Sequence, residues 1–263
     1  MQQAHFNAIA QTYDTDFSFS KIGRMQRMRV WKNLMQHLKG NKKKSILEIN
    51  CGTGVDAYWL AEQGYQVLAT DISTEMINCA VNKRNDHHIN NPEFLVCGFE
   101  EVKQTMGNRK VDVIFSNFAG LNCVDKEGLE KLNRDFASLL APNGQLIMVL
   151  LGKHCWMEQL YFRLKGQPEK AKRRLNVDMV QLGKDEVQPT YCYSVQETKE
   201  MFSAFECIAH KPIGIAIPPS YLEPIIKKLP FLVPIVQLAE YLLGNISLFS
   251  NYADHTFLVF RKK

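Results

Sequence analysis

The sequence predicts an α/β fold built on a doubly wound, mostly parallel sheet of seven strands with an antiparallel edge strand. Short apolar strands alternate with helical segments from Ser45 onward, which is the signature of a parallel sheet with helices on both faces. The last two strands follow each other without a complete helical crossover, and this predicts the antiparallel edge strand. With 263 residues, 46% of them hydrophobic and 22% charged, the chain can bury a sizeable core.

The predicted elements follow in chain order, each supported by its own pattern. Seven short apolar segments are predicted strands: SILEIN, QVLATD, FLVC, VDVIFSN, QLIMVLLG, ECIAHKPIG and HTFLVFRKK. Predicted helices cover 56–63, begin at Ser73, cover 126–140, and run from a Ser194 cap to Phe205. Proline and glycine in the 142–144 turn end the helix before the fifth strand. The alternation fails after Gly152, so 153–193 and 215–250 are predicted insertions on the sheet.

Composition and charge exclude several classes of protein. The seven cysteines are scattered singly and no histidine cluster has ligand spacing, which argues against a zinc site or a disulfide framework. The net charge is +5, and the one tight basic run, 42–44, is expected to be a solvated loop. The N-terminus lacks the apolar stretch of a signal peptide, and the most apolar window, 229–243, is shorter than the ~20 residues of a membrane span. We therefore expect a cytoplasmic protein with no transmembrane segment and no metal.

A glycine turn after the first predicted strand is the candidate ligand site. In an open parallel sheet, ligands bind beyond the carboxyl ends of the strands, where the strand order reverses. Gly52 and Gly54 lack side chains, so the backbone amides of 51–55 can approach a ligand closely. Asp71 ends the second strand 17 positions after Gly54, about the spacing at which a carboxylate accepts both ribose hydroxyls. These features predict a nucleoside-containing cofactor.

Charges around the turn favour one class of cofactor. The stretch GTGVDA fits the loose dinucleotide pattern G-x-G-x-x-A, so a nicotinamide cofactor is one alternative. Asp56, in the first turn of the following helix, would repel a pyrophosphate there, and Glu48 adds a second carboxylate. Two acids favour a ligand with a cationic part. S-adenosylmethionine has such a part, because it carries a sulfonium and an ammonium beside its adenosine.

Motifs along most of the chain resemble those of a known family. The series Glu48-x-Asn50-x-Gly52-x-Gly54, followed by Asp71, resembles motifs I and II of the class I S-adenosylmethionine-dependent methyltransferases. The segment VDVIFSNFAGLNCV and the later L-x-P-x-G turn resemble the fourth strand and the entry to the fifth strand in that family. The opening FNAIAQTYD resembles the N-terminal lid of its small-molecule branch, methyltransferase types 11 and 25.

The resemblance implies a Rossmann-like sheet, S-adenosylmethionine as cofactor and methyl transfer as the activity. It covers 6–151 and the final strand, so it implies a single methyltransferase domain. Its parts would be an N-terminal helical lid at 1–44, a cofactor-binding core at 45–152, substrate-side insertions at 153–193 and 215–250, and the last strand at 255–263.

The resemblance also implies roles for the acids and glycines of the turn. Glu48 would anchor the turn or the methionine ammonium of the cofactor, although a buried acid that supports the loop is the plainer alternative. Gly52 and Gly54 would let the backbone meet the amino-acid portion. Asp71 would bind the ribose, and its alternative role is to cap the following helix.

Further roles fall on the lid and on the ends of later strands. Ile72 and Phe99 would sandwich the adenine, although either residue could belong to the core. Residues 117–119 would pass near the sulfonium, and Tyr13 and Arg24 of the lid would close over the cofactor carboxylate. The candidate cofactor-binding residues are Tyr13, Arg24, Glu48, Asn50, Cys51, Gly52, Thr53, Gly54, Asp71, Ile72, Met76, Gly98, Phe99, Glu100, Asn117, Phe118 and Ala119.

Two positions depart from the pattern of the family. Asn50 stands where members usually have their first glycine, and asparagine tolerates left-handed backbone angles, so we expect binding to survive. Gly98 stands where members often carry an acid that bonds the adenine amino group. That contact would pass to Glu100 or be lost.

Catalytic residues are harder to predict from the sequence than cofactor-binding residues. Methyl transfer depends chiefly on aligning the acceptor with the methyl group and on excluding water. His154, just past the fifth strand, is the candidate general base, and the alternative is a surface-loop histidine. Tyr191 and Tyr193 would either line the entrance of the same site or pack inside an insertion.

The acceptor is inferred from the segments around the site. The fourth strand ends in SNFA, not in the Asn-Pro-Pro-aromatic arrangement of enzymes that methylate amines of bases, so we expect a small-molecule acceptor and no nucleic acid. The apolar segment 215–250 would roof the pocket over an apolar or aromatic acceptor, with oxygen favoured over carbon or nitrogen. Burial of that segment in a core or a dimer interface is the competing explanation. Peripheral membrane contact and either a monomer or a homodimer are compatible with the sequence.

Two other functions remain as alternatives. A nicotinamide-dependent oxidoreductase would need a tyrosine–lysine pair or a comparable group for hydride transfer. A non-catalytic protein that binds S-adenosylmethionine and regulates an enzyme would need only the cofactor half of the site.

Overall fold

The main sheet carries the topology that the sequence predicts. A computed structural model describes residues 5–39, 44–83, 91–182 and 186–263. Its strands are β1 (Ser45–Ile49), β2 (Gln66–Asp71), β3 (Glu93–Val96), β4 (Val111–Ser116), β5 (Leu140–Leu151), β6 (Asp178–Leu182), β7 (Glu186–Thr190), β8 (Phe205–Ile213) and β9 (His255–Lys262). Seven of them form one sheet in the order β3-β2-β1-β4-β5-β9-β8, in which the first five are parallel. Strand β9 runs antiparallel to β5 and pairs antiparallel with the edge strand β8, so the predicted fold class is confirmed.

Helices cover both faces of this sheet. They are α1 (Lys21–Leu38), α2 (Val55–Glu62), α3 (Thr74–Asn82), α4 (Val102–Met106), α5 (Lys126–Leu139), α6 (Trp156–Leu164), α7 (Val195–Met201), α8 (Glu223–Lys228) and α9 (Leu232–Leu243). One buried apolar cluster lies beneath α5 and α7, and another lies beneath α1 and α2. Side chains alternate along β1, so Leu47 and Ile49 join the first cluster and Ile46 joins the second. Glu48 therefore lies on the α1 side of the sheet.

The 142–144 turn is part of a long irregular strand. The predicted helix ends at Leu139, and β5 begins directly afterwards at Leu140, earlier than the sequence predicts. Leu140 pairs with Val111, and the register then shifts so that Gln145 pairs with Val113. Asn143 takes up the bend with a φ of 62°. The proline and glycine therefore mark a bulge within one strand rather than a loop before it.

The first insertion contains a hairpin that the sequence analysis did not predict. Strands β6 and β7 pair with each other as a separate antiparallel sheet. Helix α7 ends at Met201, four residues earlier than predicted, and Ser194 forms the predicted cap as part of a capping box with Glu197. The hairpin packs against the N-terminal turn His5–Ile9.

The second insertion packs against α1. Ile217 and Ile226 join Ile22 and Met25 in a small buried cluster. The opposite side of α9 is apolar and exposed, at Phe231, Ile235, Leu238 and Leu242. Only 219–221 of this insertion line the cavity described below, so the expectation that the whole segment roofs the pocket is wrong. Among the described ranges, no helix is long and apolar enough to span a membrane.

Candidate active site

A cavity of about 910 Å³ lies beyond the carboxyl ends of β1, β2 and β4. This volume is near the upper end of the range for ligand sites, so the cavity has room for more than one small molecule. The glycine turn, the N-terminal segment and the β6–β7 hairpin all contribute to its lining. Strand order reverses between β1 and β4, so this is the edge at which the sequence predicts the ligand.

Asn50 replaces a glycine without distorting the turn. Its φ is 51°, in the left-handed region that asparagine tolerates. The Asn50 Nδ2 atom donates to the Asn117 carbonyl at 2.8 Å, and the Ser116 hydroxyl donates to Asn50 Oδ1 at 2.6 Å. A side chain on Gly120 would collide with Asn50, since an added Cβ would lie 2.1 Å from Asn50 Cγ. Asn50 therefore ties the turn to the end of β4.

Gly54 is needed for packing as well as for backbone conformation. Its φ is 77°, and an added Cβ would lie 2.8 Å from the Phe94 ring. It belongs to the turn but does not line the cavity. Gly52, with a φ of 54°, does line it.

Asp71 lies at the floor of the cavity and is held by backbone amides. The amide of Gly52 donates to Oδ2 at 2.8 Å, and the amide of Ser73 donates to Oδ1 at 2.9 Å. Burial raises the pKa of Asp71, although these hydrogen bonds oppose the shift. The side-chain cap of α3 comes from Ser73, whose hydroxyl accepts from the Met76 amide. Ser73, and not Asp71, therefore caps this helix.

Glu48 lies beneath the cavity rather than on its surface. It is 1% exposed, and its Oε2 atom has no hydrogen-bond partner among the described residues. Burial raises the pKa of Glu48 well above its usual value, Asp56 raises it further, and Arg27 opposes the shift. Its neutral form therefore persists to higher pH than that of an exposed glutamate.

Asp56 is compensated by an arginine from α1. The Arg27 guanidinium forms a short ion pair with Asp56 Oδ2, which also accepts from Asn117 Nδ2 at 2.8 Å. Trp31 Nε1 donates to Asp56 Oδ1 at 2.6 Å. Burial acts to lower the pKa of Arg27, but Asp56 outweighs it and the pKa is raised. The argument that Asp56 would repel phosphate is therefore weakened, because its charge is balanced within the protein.

Unpartnered polar atoms surround this end of the cavity. Among the described residues, Ser18 Oγ and Arg27 Nε are buried without a partner, and both residues line the cavity. A donor on a cationic side chain and a free hydroxyl fit an amino-acid carboxylate. Beyond Asp71 the wall becomes apolar at Ile72, Met76 and Phe99, as a planar base requires. The residues present thus fit S-adenosylmethionine.

The structure brings most of the predicted site residues together. Those that line the cavity are Tyr13, Asn50, Cys51, Gly52, Thr53, Asp71, Ile72, Met76, Phe99, Asn117, Phe118 and Ala119. Burial raises the pKa of Tyr13, and Asp71 and Asp56 act in the same direction against Arg27. The Tyr13 hydroxyl therefore stays protonated near neutral pH.

Several predicted residues lie elsewhere. Arg24 is exposed and stacks over the Phe19 ring, because it is on the outer side of α1, and Arg27 one turn later takes the inner position. Glu100 is exposed, Gly98 is buried, and neither lines the cavity. His154 lies in the turn after β5, outside the cavity lining.

Tyr191 and Tyr193, at the end of the first insertion, bond the segment that follows β4. The amide and carbonyl of Tyr191 bond Asn122, and the Tyr193 hydroxyl donates to the Val124 carbonyl at 2.8 Å. Neither tyrosine lines the cavity. Tyr193 packs against the buried cluster beneath α5 and α7, so it contributes to the main core and not to a core of the insertion.

The N-terminal segment lies over the turn as a lid made of short helical turns, His5–Ile9 and Asp14–Ser18. The Thr53 hydroxyl donates to Asp14 Oδ1 at 2.6 Å, and Lys83 forms a short ion pair with Asp14 Oδ2. At its other end, the Ser73 hydroxyl donates to Asn7 Oδ1 at 2.6 Å. The lid is therefore bonded to the glycine turn at one end and to the start of α3 at the other.

Asp254 and His255 line the cavity, and the sequence analysis missed them. They stand at the start of β9, the strand that runs antiparallel to β5. An antiparallel strand begins where its parallel neighbours end, so its first residues reach the ligand edge of the sheet. The predicted antiparallel last strand would therefore have identified Asp254 and His255 as candidate site residues.

Three cysteines also line the cavity: Cys51, Cys123 and Cys192. Burial raises the pKa of Cys123 to about 12 and that of Cys192 to about 11. Both thiols are therefore almost entirely protonated near neutral pH.

Comparisons with known proteins agree with this geometry. A family model described as a methyltransferase domain matches residues 46–144. The tRNA 5-carboxymethoxyuridine methyltransferase of Escherichia coli K12 is 26% identical over 187 residues, which is 68% of this chain and 70% of that protein. The crystal structure of the PH0226 protein from Pyrococcus horikoshii superposes with a TM-score of 0.61 at 15% identity, over 96% of this chain and 99% of that one. A DhpI–SAH complex has the same TM-score of 0.61 at 17% identity, over 98% and 93% of the two chains.

The tRNA-modifying relative overturns one expectation. The sequence analysis excluded nucleic acid as an acceptor, and a similar chain named as a tRNA methyltransferase contradicts that exclusion. The SNFA motif was evidence only against the arrangement used for amines of bases, and it says nothing about other atoms of a nucleic acid. The exclusion was therefore broader than the motif allows.

Proposed function

We propose an acceptor class for this chain on the premise that it is a class I S-adenosylmethionine-dependent methyltransferase. It is an enzyme with S-adenosylmethionine as cofactor, so the oxidoreductase and the non-catalytic binder are set aside. Tyr161 and Lys165 have the spacing of a hydride-transfer pair, but neither lines the cavity.

The proposed reaction is transfer of the methyl group to an oxygen of a compact apolar or aromatic acceptor. The observation that carries it is the apolar lining of the cavity between the end of β4 and the hairpin. This lining consists of Phe6, Ile9, Phe17, Phe118, Val180, Leu182, Pro189, Pro219 and Tyr221. Such walls favour an acceptor that is largely apolar and carries few polar groups.

The charges of the cavity support a neutral acceptor group. Arg173 pairs with Glu158, and Arg174 pairs with both Glu158 and Asp254. Arg27, the other arginine of the lining, pairs with Asp56. Each arginine of the described lining is therefore compensated, and an anionic acceptor would gain little from them.

A second candidate is methyl transfer to a modified uridine of tRNA. The relative that is 26% identical over 187 residues favours it, and a flat base would also fit the apolar walls.

Transfer of radiolabel from S-adenosylmethionine into fractionated cell extract distinguishes these candidates. We expect label in the organic-extractable fraction, unchanged by prior nuclease treatment. Label in RNA that nuclease releases would replace the first candidate with the second. Calorimetric binding of S-adenosylhomocysteine is measured in parallel, so that an inactive preparation is recognised.

A further inference from the structure

Asp254 and His255 form a buried pair at the acceptor end of the cavity. The two residues are 3% and 5% exposed. His255 Nδ1 lies 3.2 Å from Asp254 Oδ2, at ion-pair distance. The two atoms do not meet the geometry of a hydrogen bond, and Nδ1 is buried with no hydrogen-bond partner among the described residues.

Other contacts fix the carboxylate of this pair. Arg174 Nη2 donates to Asp254 Oδ1 at 2.6 Å, and Gln26 Nε2 donates to Oδ2 at 2.8 Å. Burial would raise the pKa of Asp254, but His255 and Arg174 outweigh it and hold the pKa below its usual range. Asp254 is therefore ionised near neutral pH and cannot easily turn away from the imidazole.

The imidazole faces the place where the acceptor is expected. His255 packs edge to face on Phe118, with ring centroids 5.5 Å apart. Phe118 follows β4, and both rings line the cavity. Because Nδ1 faces Asp254, Nε2 is the nitrogen left for a molecule in the cavity, and the structure gives it no partner among the described residues.

We propose that His255 is a catalytic residue that takes the proton of an acceptor hydroxyl, and that Asp254 positions it. This inference rests on the proposed function and narrows the acceptor to one that loses a proton during transfer, such as a phenol. S-adenosylmethionine supplies the methyl group on a sulfonium: the C–S bond breaks with its electron pair passing to sulfur as the C–O bond forms. The hydroxyl proton passes to His255 Nε2, and the imidazolium later releases it to water.

Charged groups surround the pair. Asp254 lies directly before His255, and Arg174 of the first insertion pairs with Asp254. Arg27 of α1 lies over the same Phe118 ring that His255 contacts.

The first test reads the tautomer and does not depend on activity. In ¹⁵N spectra of the full chain with His255 assigned, we expect the neutral ring to carry its proton on Nδ1, toward Asp254. A neutral ring protonated on Nε2 would overturn the proposal, because no lone pair would then face the cavity.

The second test uses phenol and 4-nitrophenol as acceptor probes at about pH 8, where phenol is protonated because such hydroxyls ionise near pH 10, whereas the nitrophenol is largely ionised. We expect His255→Ala to slow transfer to phenol by roughly 10²- to 10⁴-fold, the usual worth of a general base, and transfer to 4-nitrophenol by less than about tenfold. His210→Gln is the control, since His210 bonds Ser250 away from the cavity.

Equal losses with both probes would show that His255 is not a base. No transfer to either probe by a wild-type protein that binds S-adenosylhomocysteine would overturn the hydroxyl-acceptor class. A wild-type protein that fails to bind S-adenosylhomocysteine would count against the proposed function instead.

Discussion

Three buried carboxylates of the candidate active site differ in how their charge is compensated. Asp56 has an arginine, Asp71 has two backbone amides, and Glu48 has an unpartnered oxygen. The sequence shows all three acids but not the compensation, because Arg27 comes from a helix outside the motif. Inferring the charge of a ligand from acidic residues in a sequence therefore also requires the basic residues that pair with them.

Glu48→Gln is expected to stabilise the protein at neutral pH. The pKa of Glu48 is raised by burial, so ionisation costs stability as pH rises above the ordinary glutamate value of about 4.3. That cost stops growing once the pH exceeds the folded-state pKa. The gain should therefore be larger at pH 8 than at pH 4, where it should nearly disappear.

Urea unfolding of both proteins at the two pH values measures this difference. Glu100→Gln is the control, because Glu100 is exposed. A gain that is the same at both pH values would show that packing, not ionisation, is responsible.

Asp71→Ala is expected to weaken binding of S-adenosylhomocysteine by about 1.5–3 kcal/mol, the range for hydrogen bonds to a charged group. Calorimetric titration measures it. Asp112→Ala is the matched control, because Asp112 also accepts from a backbone amide, that of Ser45, at the other end of the sheet. Unchanged affinity in Asp71→Ala would remove Asp71 from the cofactor site.

The strands and helices of the core follow local patterns, and the sequence predicts them well. Alternating apolar segments place β1 to β5 and helices α2, α3 and α5, and the turn residues place the ligand edge. The short helix α4, between β3 and β4, is not predicted. The β6–β7 hairpin escapes prediction because most of β6 is exposed and the buried residues of β7, Gln188 and Thr190, are polar, so neither strand has a buried apolar face. The choice between Arg24 and Arg27 also escapes it, because packing around α1 decides which arginine faces inward.

The lid is expected to depend on Asp14. Asp14→Ala removes the bonds to Thr53 and Lys83, so hydrogen exchange should increase about tenfold or more across 5–18, the loss expected from one charged hydrogen bond. Binding of S-adenosylhomocysteine should weaken in the same variant. Asp16→Ala is the control, as it removes a carboxylate of the same turn for which the structure gives no such bonds. Equal exchange in both variants would show that Asp14 does not hold the lid.

The two insertions have different structural roles in the whole molecule. The first contributes the hairpin and Arg174 to the cavity, whereas most of the second packs on α1 and leaves one side of α9 exposed. The apolar composition of the second insertion is therefore weak evidence about the acceptor. The lining of the cavity is the better guide.

Leu238→Gln is expected to change the free energy of unfolding by less than about 0.5 kcal/mol, because Leu238 is 60% exposed. Ile226→Ala, in the buried cluster on α1, should cost about 2–5 kcal/mol. Chemical denaturation compares the two variants. A large loss in Leu238→Gln would mean that the exposed side of α9 is covered in solution.

The protonated thiols of the cavity bear on how the enzyme survives its own cofactor. A methyl sulfonium is an alkylating agent, and thiolates are the side chains that attack such carbon most readily. With a pKa of about 12, Cys123 exists as thiolate in only about one molecule in 10⁵ at pH 7. Burial thus keeps these sulfur atoms in the form that reacts slowly with a methyl sulfonium.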